Sequence, residues 1–288
     1  MGERMLLAVD VGNTTTRFGL FGNDAEADGD AGGMEPLGTW EVTTPPRLTA
    51  DEARLAVAQA LASLSSAVTV GSTPIQPVSA ILSCVVPALE AAWTRALTAV
   101  CPSRPLIVGP GLKTGMRLRY DDPSEIGSDR IADAVAARNR YGSPAIVVDL
   151  GTTTNIEVID SAGAFAGGLI APGLALGARS LSNAAARLPM VELRAPQRVI
   201  GKSTREAMRA GIVLGEAARI DGLLDMVEGE LRGMGDAPDT STPTVILTGD
   251  DASAMAVILR HEVTVDDTLT LRGLAALHRI NSRTNSRK

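Results

Sequence analysis

The sequence has very few aromatic residues, cysteines and histidines. Its 288 residues include three Phe, two Trp and two Tyr, so aliphatic side chains must fill most of the core and each Tyr is a candidate for a specific role. Two cysteines and two histidines do not make a convincing zinc site, and Cys84 and Cys101 lack the spacing of metal ligands. We expect two buried, reduced thiols.

Excess positive charge and long apolar spans are also absent. The net charge is −6, and no basic stripe alternates with aromatic residues, which argues against nucleic acid as a partner. No stretch of 18 residues is apolar and uncharged, and the N-terminus lacks the apolar segment of a signal peptide. These features predict a cytoplasmic protein with no membrane partner.

The length and a hydrophobic content of 45 % allow two domains or one large one. Short apolar runs alternate with segments of helical periodicity, which is typical of an α/β fold. The strands are predicted at 5–10, 18–21, 38–42, 78–86, 105–108, 145–149, 155–159 and 244–248. The helices are predicted at 49–65, 88–100, 124–140, 173–187, 203–232 and 268–280. We expect surface loops at 23–36 and 233–243 and a frayed tail from residue 281.

One polar turn occurs twice in the chain. Residues 8–15 read AVDVGNTT and residues 147–154 read VVDLGTTT, so each copy has an apolar strand, an Asp, an aliphatic residue, a Gly and small polar residues. The two aspartates, Asp10 and Asp149, are 149 − 10 = 139 residues apart, which is close to half the chain. We infer two copies of one α/β unit.

The chemistry of this turn suits a polyphosphate. Glycine lets backbone N–H groups approach anionic oxygens, hydroxyl groups add donors without bulk, and an Asp at the strand end can hold a divalent cation. A single turn of this kind is often only hairpin geometry. Two copies at half-chain spacing favour a nucleotide triphosphate with its metal.

Asp129 and Arg130 follow Gly127 at the start of a predicted helix. They are consistent with an acidic residue that interacts with the helix dipole and a solvated arginine. The functional alternative makes Asp129 a general base for an attacking hydroxyl and Arg130 a forked ligand for a carboxylate or phosphate. Their position one helix before the second turn favours function.

The sequence resembles the type III pantothenate kinases of the actin/Hsp70/sugar-kinase superfamily over nearly its whole length. The motifs that carry the resemblance are DVGNTTTRFG, ILSCVVP, GLKTG, YDDPSEIGSDRIADAVAA, VVDLGTTTN, GGLIAPG, RLPMVEL, VIGKSTREAMRAGIVLGEAARIDGL, T-G-x-x-A at 248–252 and LTLRGL. The resemblance implies duplicated ribonuclease H-like (actin-like ATPase) domains, each a mixed five-stranded sheet with flanking helices. We expect an N-terminal domain at 1–120 and a C-terminal domain at 121–288.

The resemblance also implies ATP-dependent phosphorylation of pantothenate to 4′-phosphopantothenate, the first step of coenzyme A biosynthesis. Mg²⁺ would be held by Asp10, and K⁺ or NH₄⁺ by Asp149. The residues implied to bind ATP and its phosphates are Asp10, Val11, Gly12, Asn13, Thr14, Thr15, Thr16, Arg17 and Thr152. Those implied to bind pantothenate are Tyr120, Gly127, Ser128, Asp129, Arg130 and Thr204, with Asp129 as the catalytic base and Thr204 acting across a homodimer interface that shares the active sites.

The chain departs from the family pattern at several of these motifs. Six positions differ from the usual residue: Asp122, Ser128, Leu150, Thr153, Asn155 and Asp250. Asp250 places a carboxylate where the backbone of relatives approaches the adenosine, so it bears on nucleotide affinity.

Two other functions remain compatible with the sequence. One is a catalytically silent, regulatory or accessory homologue, and the other is a kinase of another small hydroxy acid or sugar. A homodimer is predicted from the apolar residues of 173–193 and 203–232, although these residues can equally form the core of one subunit.

Overall fold

The computed structural model describes residues 5–22, 35–67, 77–185, 187–233 and 241–285. The chain forms two compact units. The first comprises residues 1–116, 121–140 and 268–288, and the second comprises residues 117–120 and 141–267.

Within the described residues, the first unit contains a five-stranded sheet and four α-helices. Its strands are β1 (Met5–Val11), β2 (Thr15–Gly22), β3 (Gly38–Thr43), β4 (Pro77–Cys84) and β5 (Leu106–Ile107). Its helices are α1 (Ala50–Ala67), α2 (Pro87–Val100), α3 (Ser128–Tyr141, whose last residue groups with the second unit) and α7 (Leu269–Asn285).

The second unit repeats this sheet. Its strands are β6 (Ala145–Leu150), β7 (Thr153–Ile159), β8 (Phe165–Pro172), β9 (Thr244–Thr248) and β10 (Thr264–Val265). Its helices are α4 (Leu174–Ala184), α5 (Thr204–Leu231) and α6 (Ala252–Ala256).

The two sheets have the same topology. The strand orders are β3-β2-β1-β4-β5 and β8-β7-β6-β9-β10, and in each the first three strands are antiparallel while the last two run parallel to the central strand. The predicted fold class, duplicated ribonuclease H-like domains with mixed five-stranded sheets, is confirmed. The duplication places Asp10 and Asp149 at equivalent positions, near the ends of the central strands β1 and β6.

The scarce aromatic residues are concentrated in the first core. Every residue of β1 is buried, and Phe18 contacts Trp40 and Trp93 with ring centroids 5.9 Å and 5.7 Å apart. Aliphatic residues of α1 and α2 complete the core, as expected for a chain with few aromatics. The cysteines carry no disulfide; Cys101 is buried as predicted, whereas Cys84 is only half-buried. Burial raises the pKa of both thiols to about 11, which disfavours the thiolate.

The second core lies between the sheet and α5. Ile146, Val148 and Leu150 of β6 pack with Ile220 and Leu224 of α5. Ser203 caps α5 by accepting a hydrogen bond from the backbone N–H of Glu206 at 3.2 Å. The apolar residues of α5 are therefore partly used inside the subunit.

Helices α3 and α7 pack closely in the first unit. A Cβ on Gly273 of α7 would overlap the carbonyl group of Ala132 of α3, so only glycine permits this approach. Arg140 and Arg272, one on each helix, both pair with Glu35.

The two units are therefore not the continuous segments 1–120 and 121–288. Residues 121–140 and 268–288 belong with the first unit, because α3 and α7 pack there. The sequence pattern gives the helices but not the sheet on which they pack.

Other differences from the sequence-based prediction concern short or irregular elements. Strands β8 and β10 and helix α6 were not predicted, and α7 continues through Asn285, beyond the predicted end at residue 280. Residues 23–34 and 234–240, the greater part of the two predicted loops, lie outside the described residues, as do residues 286–288 of the predicted tail. Among the described helices, none combines the length and apolar character needed to cross a membrane.

Candidate active site

The turn between β1 and β2 is a tight glycine turn. The N–H of Gly12 donates to the carbonyl of Thr15 at 3.0 Å, and a Cβ on Gly12 would lie 3.0 Å from that same oxygen. Asn13 and Thr14 are exposed at its tip. The turn thus presents backbone and short polar side chains, as an anion site requires.

Two of the residues predicted to line the phosphates point elsewhere. Thr16 is 0 % exposed and its hydroxyl shares a 2.8 Å hydrogen bond with that of Thr44, so its side chain supports the sheet. Val11 is also fully buried, and its carbonyl accepts from the N–H of Val85 at 3.0 Å. Val11 and Thr16 are paired across the β1–β2 hairpin, so their side chains lie on the same, buried face of the sheet.

Asp10 is a buried carboxylate with one unused oxygen. It is 7 % exposed, and among the described residues no hydrogen-bond donor reaches its Oδ1. Burial and the charge of Asp129 raise the pKa of Asp10 to about 6, while a hydrogen bond from Ser83 and the charge of Arg17 oppose the rise. A buried oxygen that lacks a partner fits a cation ligand.

Asp129 lies in the first turn of α3. Its Oδ1 accepts from the backbone N–H of Arg130 at 2.8 Å, and a Cβ on Gly127 would lie 2.5 Å from that oxygen. Glycine at 127 therefore makes room for the carboxylate. Burial raises the pKa of Asp129, and the N–H and guanidinium of Arg130 oppose this rise.

Arg130 is 5 % exposed, so its positive charge lies largely out of solvent beside Asp129. Asp10, Asp129 and Arg130 consequently form one electrostatic group within the first unit. A carboxylate with a raised pKa next to a buried guanidinium can accept a proton from a hydroxyl and hold an anionic substrate.

The second turn is formed by three close backbone segments. The N–H of Gly151 donates to the carbonyl of Thr153 at 3.0 Å, and that of Gly173 donates to Thr152 at 3.2 Å. Gly249 has φ +91°, and a Cβ there would lie 2.6 Å from Oδ1 of Asp149. Asp149 and Thr152 are both half-buried at this junction.

A polar cluster that sequence reasoning missed supports this turn. The hydroxyl of Thr154 donates to Glu216 at 2.7 Å, and Arg219 donates to Glu216 at 2.6 Å and to the carbonyl of Pro172 at 2.7 Å. Glu216 and Arg219 are three residues apart on α5, within the GIVLGEAARIDGL motif. That i, i+3 spacing was the available signal.

Tyr120 and Thr204 are both in the second unit. Tyr120 is half-buried against Phe165, with ring centroids 6.1 Å apart, and Thr204 is the exposed first residue of α5. The predicted site residues thus fall into two sets. Residues 10–17 and 127–130 are in the first unit, and Tyr120, Asp149, Thr152 and Thr204 are in the second.

No group of three or more His, Cys, Asp or Glu side chains within the described ranges has the arrangement of a metal site. Mg²⁺ in nucleotide sites is usually held by one or two carboxylates together with substrate phosphates and water. The unused oxygen of Asp10 fits that requirement.

Comparisons with known proteins identify the family. A family model described as type III pantothenate kinase matches residues 6–226. A type III pantothenate kinase of Rhodospirillum centenum is 40 % identical over 283 residues, covering 96 % of this chain and 99 % of that protein. One from Listeria monocytogenes is 37 % identical over 283 residues, covering 98 % and 100 %.

A solved structure from Campylobacter jejuni, described as a conserved Baf family transcriptional activator, has the same fold. Its TM-score is 0.55 at 18 % identity, and the match covers 96 % of this chain and 99 % of that one. With a family model that matches most of the chain and relatives that align along nearly all of it, the chain belongs to the type III pantothenate kinase family.

Proposed function

We propose that this chain transfers the γ-phosphoryl group of ATP to the primary hydroxyl of pantothenate, giving 4′-phosphopantothenate at the start of coenzyme A biosynthesis. Family membership supports the reaction. The observation that carries it is Asp129, a half-buried carboxylate with a raised pKa beside the buried Arg130.

Asp129 is the general base of this proposal. The hydroxyl oxygen of pantothenate bonds to the γ-phosphorus, the bond from that phosphorus to ADP breaks, and the hydroxyl proton passes to Asp129. A raised pKa brings this base closer to the working pH, where proton transfer is most effective. Arg130 neutralises the carboxylate of pantothenate in a forked geometry and keeps Asp129 ionised.

The turn after β1 binds the phosphates of ATP. The exposed residues Asn13 and Thr14, together with the backbone of Gly12 and Thr15, supply donors, and Arg17 supplies charge. Asp10 holds Mg²⁺ through its unused oxygen. When bound, the cation offsets the charge that develops on the phosphoryl oxygens.

The turn after β6 carries the residues assigned to ATP and to the monovalent cation in the second unit. Asp149 holds the monovalent cation, K⁺ or NH₄⁺, and Thr152 contacts ATP. The close approach of Gly249 to Asp149 supports this assignment, because it keeps a bulkier side chain away from the carboxylate.

Tyr120 and Thr204 complete the pantothenate site in a homodimer that shares its active sites. Large apolar side chains that are exposed near α5 support a partner subunit: Met190, Val199, Ile200 and Met226 are 58 %, 76 %, 80 % and 71 % exposed. Val199 and Ile200 immediately precede the segment that leads into Thr204. We also propose that the enzyme acts in the cytoplasm, where ATP is available.

A coupled assay of ADP release with pantothenate, Mg²⁺ and K⁺ tests the reaction. Wild type turns over pantothenate, and Asp129→Asn loses about 10²–10⁴-fold in rate. Asp51→Asn, on the exposed first turn of α1, is the matched control and keeps wild-type rate. The proposal is overturned if folded wild type does not turn over pantothenate, or if Asp129→Asn keeps the wild-type rate. In that case, assays with a panel of hydroxy acids and sugars test for another phosphoryl acceptor.

Sedimentation and subunit mixing test the shared site. We expect a dimer at micromolar concentration. Mixing inactive Asp129→Asn with inactive Thr204→Arg restores part of the activity, because a mixed dimer contains one site free of both changes. A monomer, or no recovery after verified exchange, excludes sharing.

A further inference from the structure

A chain of buried hydroxyl groups lies beside the carboxylate assigned to Mg²⁺. Ser83 is 0 % exposed and Ser128 is 9 % exposed, and their Oγ atoms are 2.8 Å apart. Ser83 is the penultimate residue of β4, and Ser128 opens α3 immediately before the proposed base. One hydrogen bond therefore connects the sheet to the start of this helix.

The sheet register brings Ser83 next to Asp10. The two residues are partners in the parallel pairing of β1 and β4, so their side chains project from the same face. The Ser83 hydroxyl is hydrogen-bonded to the carboxylate of Asp10. Since Oδ1 of Asp10 has no partner within the described ranges, this bond uses the other oxygen.

The number of protons fixes the direction of the chain. A carboxylate only accepts hydrogen bonds, so the single hydroxyl proton of Ser83 is donated to Asp10. Ser83 must then accept from Ser128. The order is Ser128 to Ser83 to Asp10, and every group in it is buried.

We propose that Ser83 and Ser128 are positioning residues, which hold Asp10 so that Oδ1 faces the cation and which fix Asp10 relative to the turn that carries Asp129. The inference rests on the proposed function, in which Asp10 serves Mg²⁺ and Asp129 is the base. It adds Ser83 to the site and gives Ser128 a second role, exerted through Asp10, besides the place among the pantothenate-binding residues that the resemblance implies.

The two serines have unequal effects in this arrangement. Ser83 bonds the carboxylate directly, and a hydrogen bond to a charged group contributes more than a neutral one. Ser128 acts one step further away. Because alanine is usual at position 128 in the family that the sequence resembles, a Ser128→Ala chain is expected to fold.

Calorimetric titration of ADP at several Mg²⁺ concentrations tests the proposal without catalysis. Ser83→Ala raises the Mg²⁺ concentration needed for half-maximal tightening of ADP binding by about tenfold, and Ser128→Ala raises it by about threefold. The double variant matches Ser83→Ala alone, because Ser128 acts through Ser83. Binding of ADP without Mg²⁺ remains near wild type.

Ser65→Ala is the matched control. Its hydroxyl donates to the carbonyl of Leu61 within α1, so its loss removes a half-buried serine hydrogen bond in the same unit without touching Asp10. The Mg²⁺ dependence of this variant equals that of wild type. Melting temperatures of the ligand-free variants separate general destabilisation from a change in cation binding.

Asp10→Asn separates the two proposals. If Asp10→Asn changes the Mg²⁺ dependence but neither serine variant does, the hydroxyl chain is overturned and the cation assignment stands. If Asp10→Asn also leaves the Mg²⁺ dependence of ADP binding unchanged, the hydroxyl chain and the assignment of Mg²⁺ to Asp10 are both overturned. Additive effects in the double variant exclude action of Ser128 through Ser83.

Discussion

Gly249 approaches Asp149 so closely that a Cβ at residue 249 would lie 2.6 Å from the carboxylate oxygen Oδ1. The same hypothetical atom would lie 2.6 Å from the carbonyl oxygen of Leu150, and the backbone φ of Gly249 is +91°. Two independent constraints, space and backbone conformation, therefore require glycine beside the second phosphate turn.

Gly249→Ala should destabilise the protein by about 1–3 kcal/mol, because alanine is strained at this φ and collides with the turn. Urea denaturation measures the change in free energy of unfolding. Gly211→Ala is the control, since Gly211 lies exposed in α5 with no atom within 4 Å of the added Cβ. That variant should gain about 0.5–1 kcal/mol, and equal effects at the two sites would contradict the prediction.

Ligand-free protein should gain stability from Asp10 as the pH falls. The pKa of Asp10 is raised from 3.8 to about 6 on folding, so its contribution is fully present below pH 3.8 and is lost as the pH rises through about 6. The full contribution is about 3 kcal/mol. Asp10→Asn removes it, so the difference in unfolding free energy between wild type and variant should change across this window in the absence of Mg²⁺.

The charge of Asp129 provides a check on the same effect. Asp129→Asn removes one cause of the raised pKa of Asp10. The pH range over which Asp10 loses its contribution to stability should therefore move to lower pH. A pH dependence of stability that is identical in wild type and Asp10→Asn would show that Asp10 titrates normally.

Asp250→Gly should increase the affinity for ATP about two- to fivefold at low salt, because it removes a negative charge beside the second turn. Burial, then the charges of Asp250 and Glu216, raise the pKa of the neighbouring Asp251, which indicates a crowded acidic edge. Calorimetry measures the affinity. Glu262→Gln, another exposed acid of the second unit, controls for overall charge, and an equal gain there would count against a local effect.

Glu216→Ala should cost about 1–3 kcal/mol of stability, because it leaves the buried Thr154 hydroxyl without its acceptor and the partly exposed Arg219 without its ion-pair partner. Asp51→Ala, which breaks the exposed Arg54–Asp51 pair on α1, should cost about 0.3–0.5 kcal/mol. Thermal and urea unfolding give both values. A loss at Glu216 no larger than at Asp51 would rule out a supporting role for the cluster.

Arg130→Lys should raise the KM for pantothenate about tenfold and leave the KM for ATP unchanged. Lysine keeps the charge but lacks the planar fork that binds a carboxylate through two hydrogen bonds. The exposed Arg104→Lys is the control in steady-state kinetics. A change in the KM for ATP alone would assign Arg130 to the nucleotide instead.

The repeated motif made much of the fold predictable. Two copies of an apolar strand with a D-x-G turn predicted the β1–β2 and β6–β7 hairpins, because strand periodicity and turn chemistry are both local properties. Strand β8 was missed because it contains Gly167 and Gly168 and lies at a sheet edge, where one face is exposed.

Side-chain direction was less predictable than residue identity. Thr16 belongs to the run of three threonines after Asn13 but is buried, and Ser83 lies in a strand whose pattern indicates only a structural role. Both outcomes depend on register, which is set by the partner strand rather than by the motif itself. The assignment of α3 and α7 to the first unit likewise depends on contacts between segments far apart in sequence.

The return of α7 to α3 also constrains synthesis of the chain. The close approach of Gly273 to Ala132 joins helices that are separated in sequence by residues 142–268, which include most of the second unit. A ribosome makes that entire unit before α7 emerges, so the first unit cannot complete its helical layer by folding strictly from the N-terminus. The face of α3 that receives α7 therefore lacks this partner helix while the intervening segment is translated.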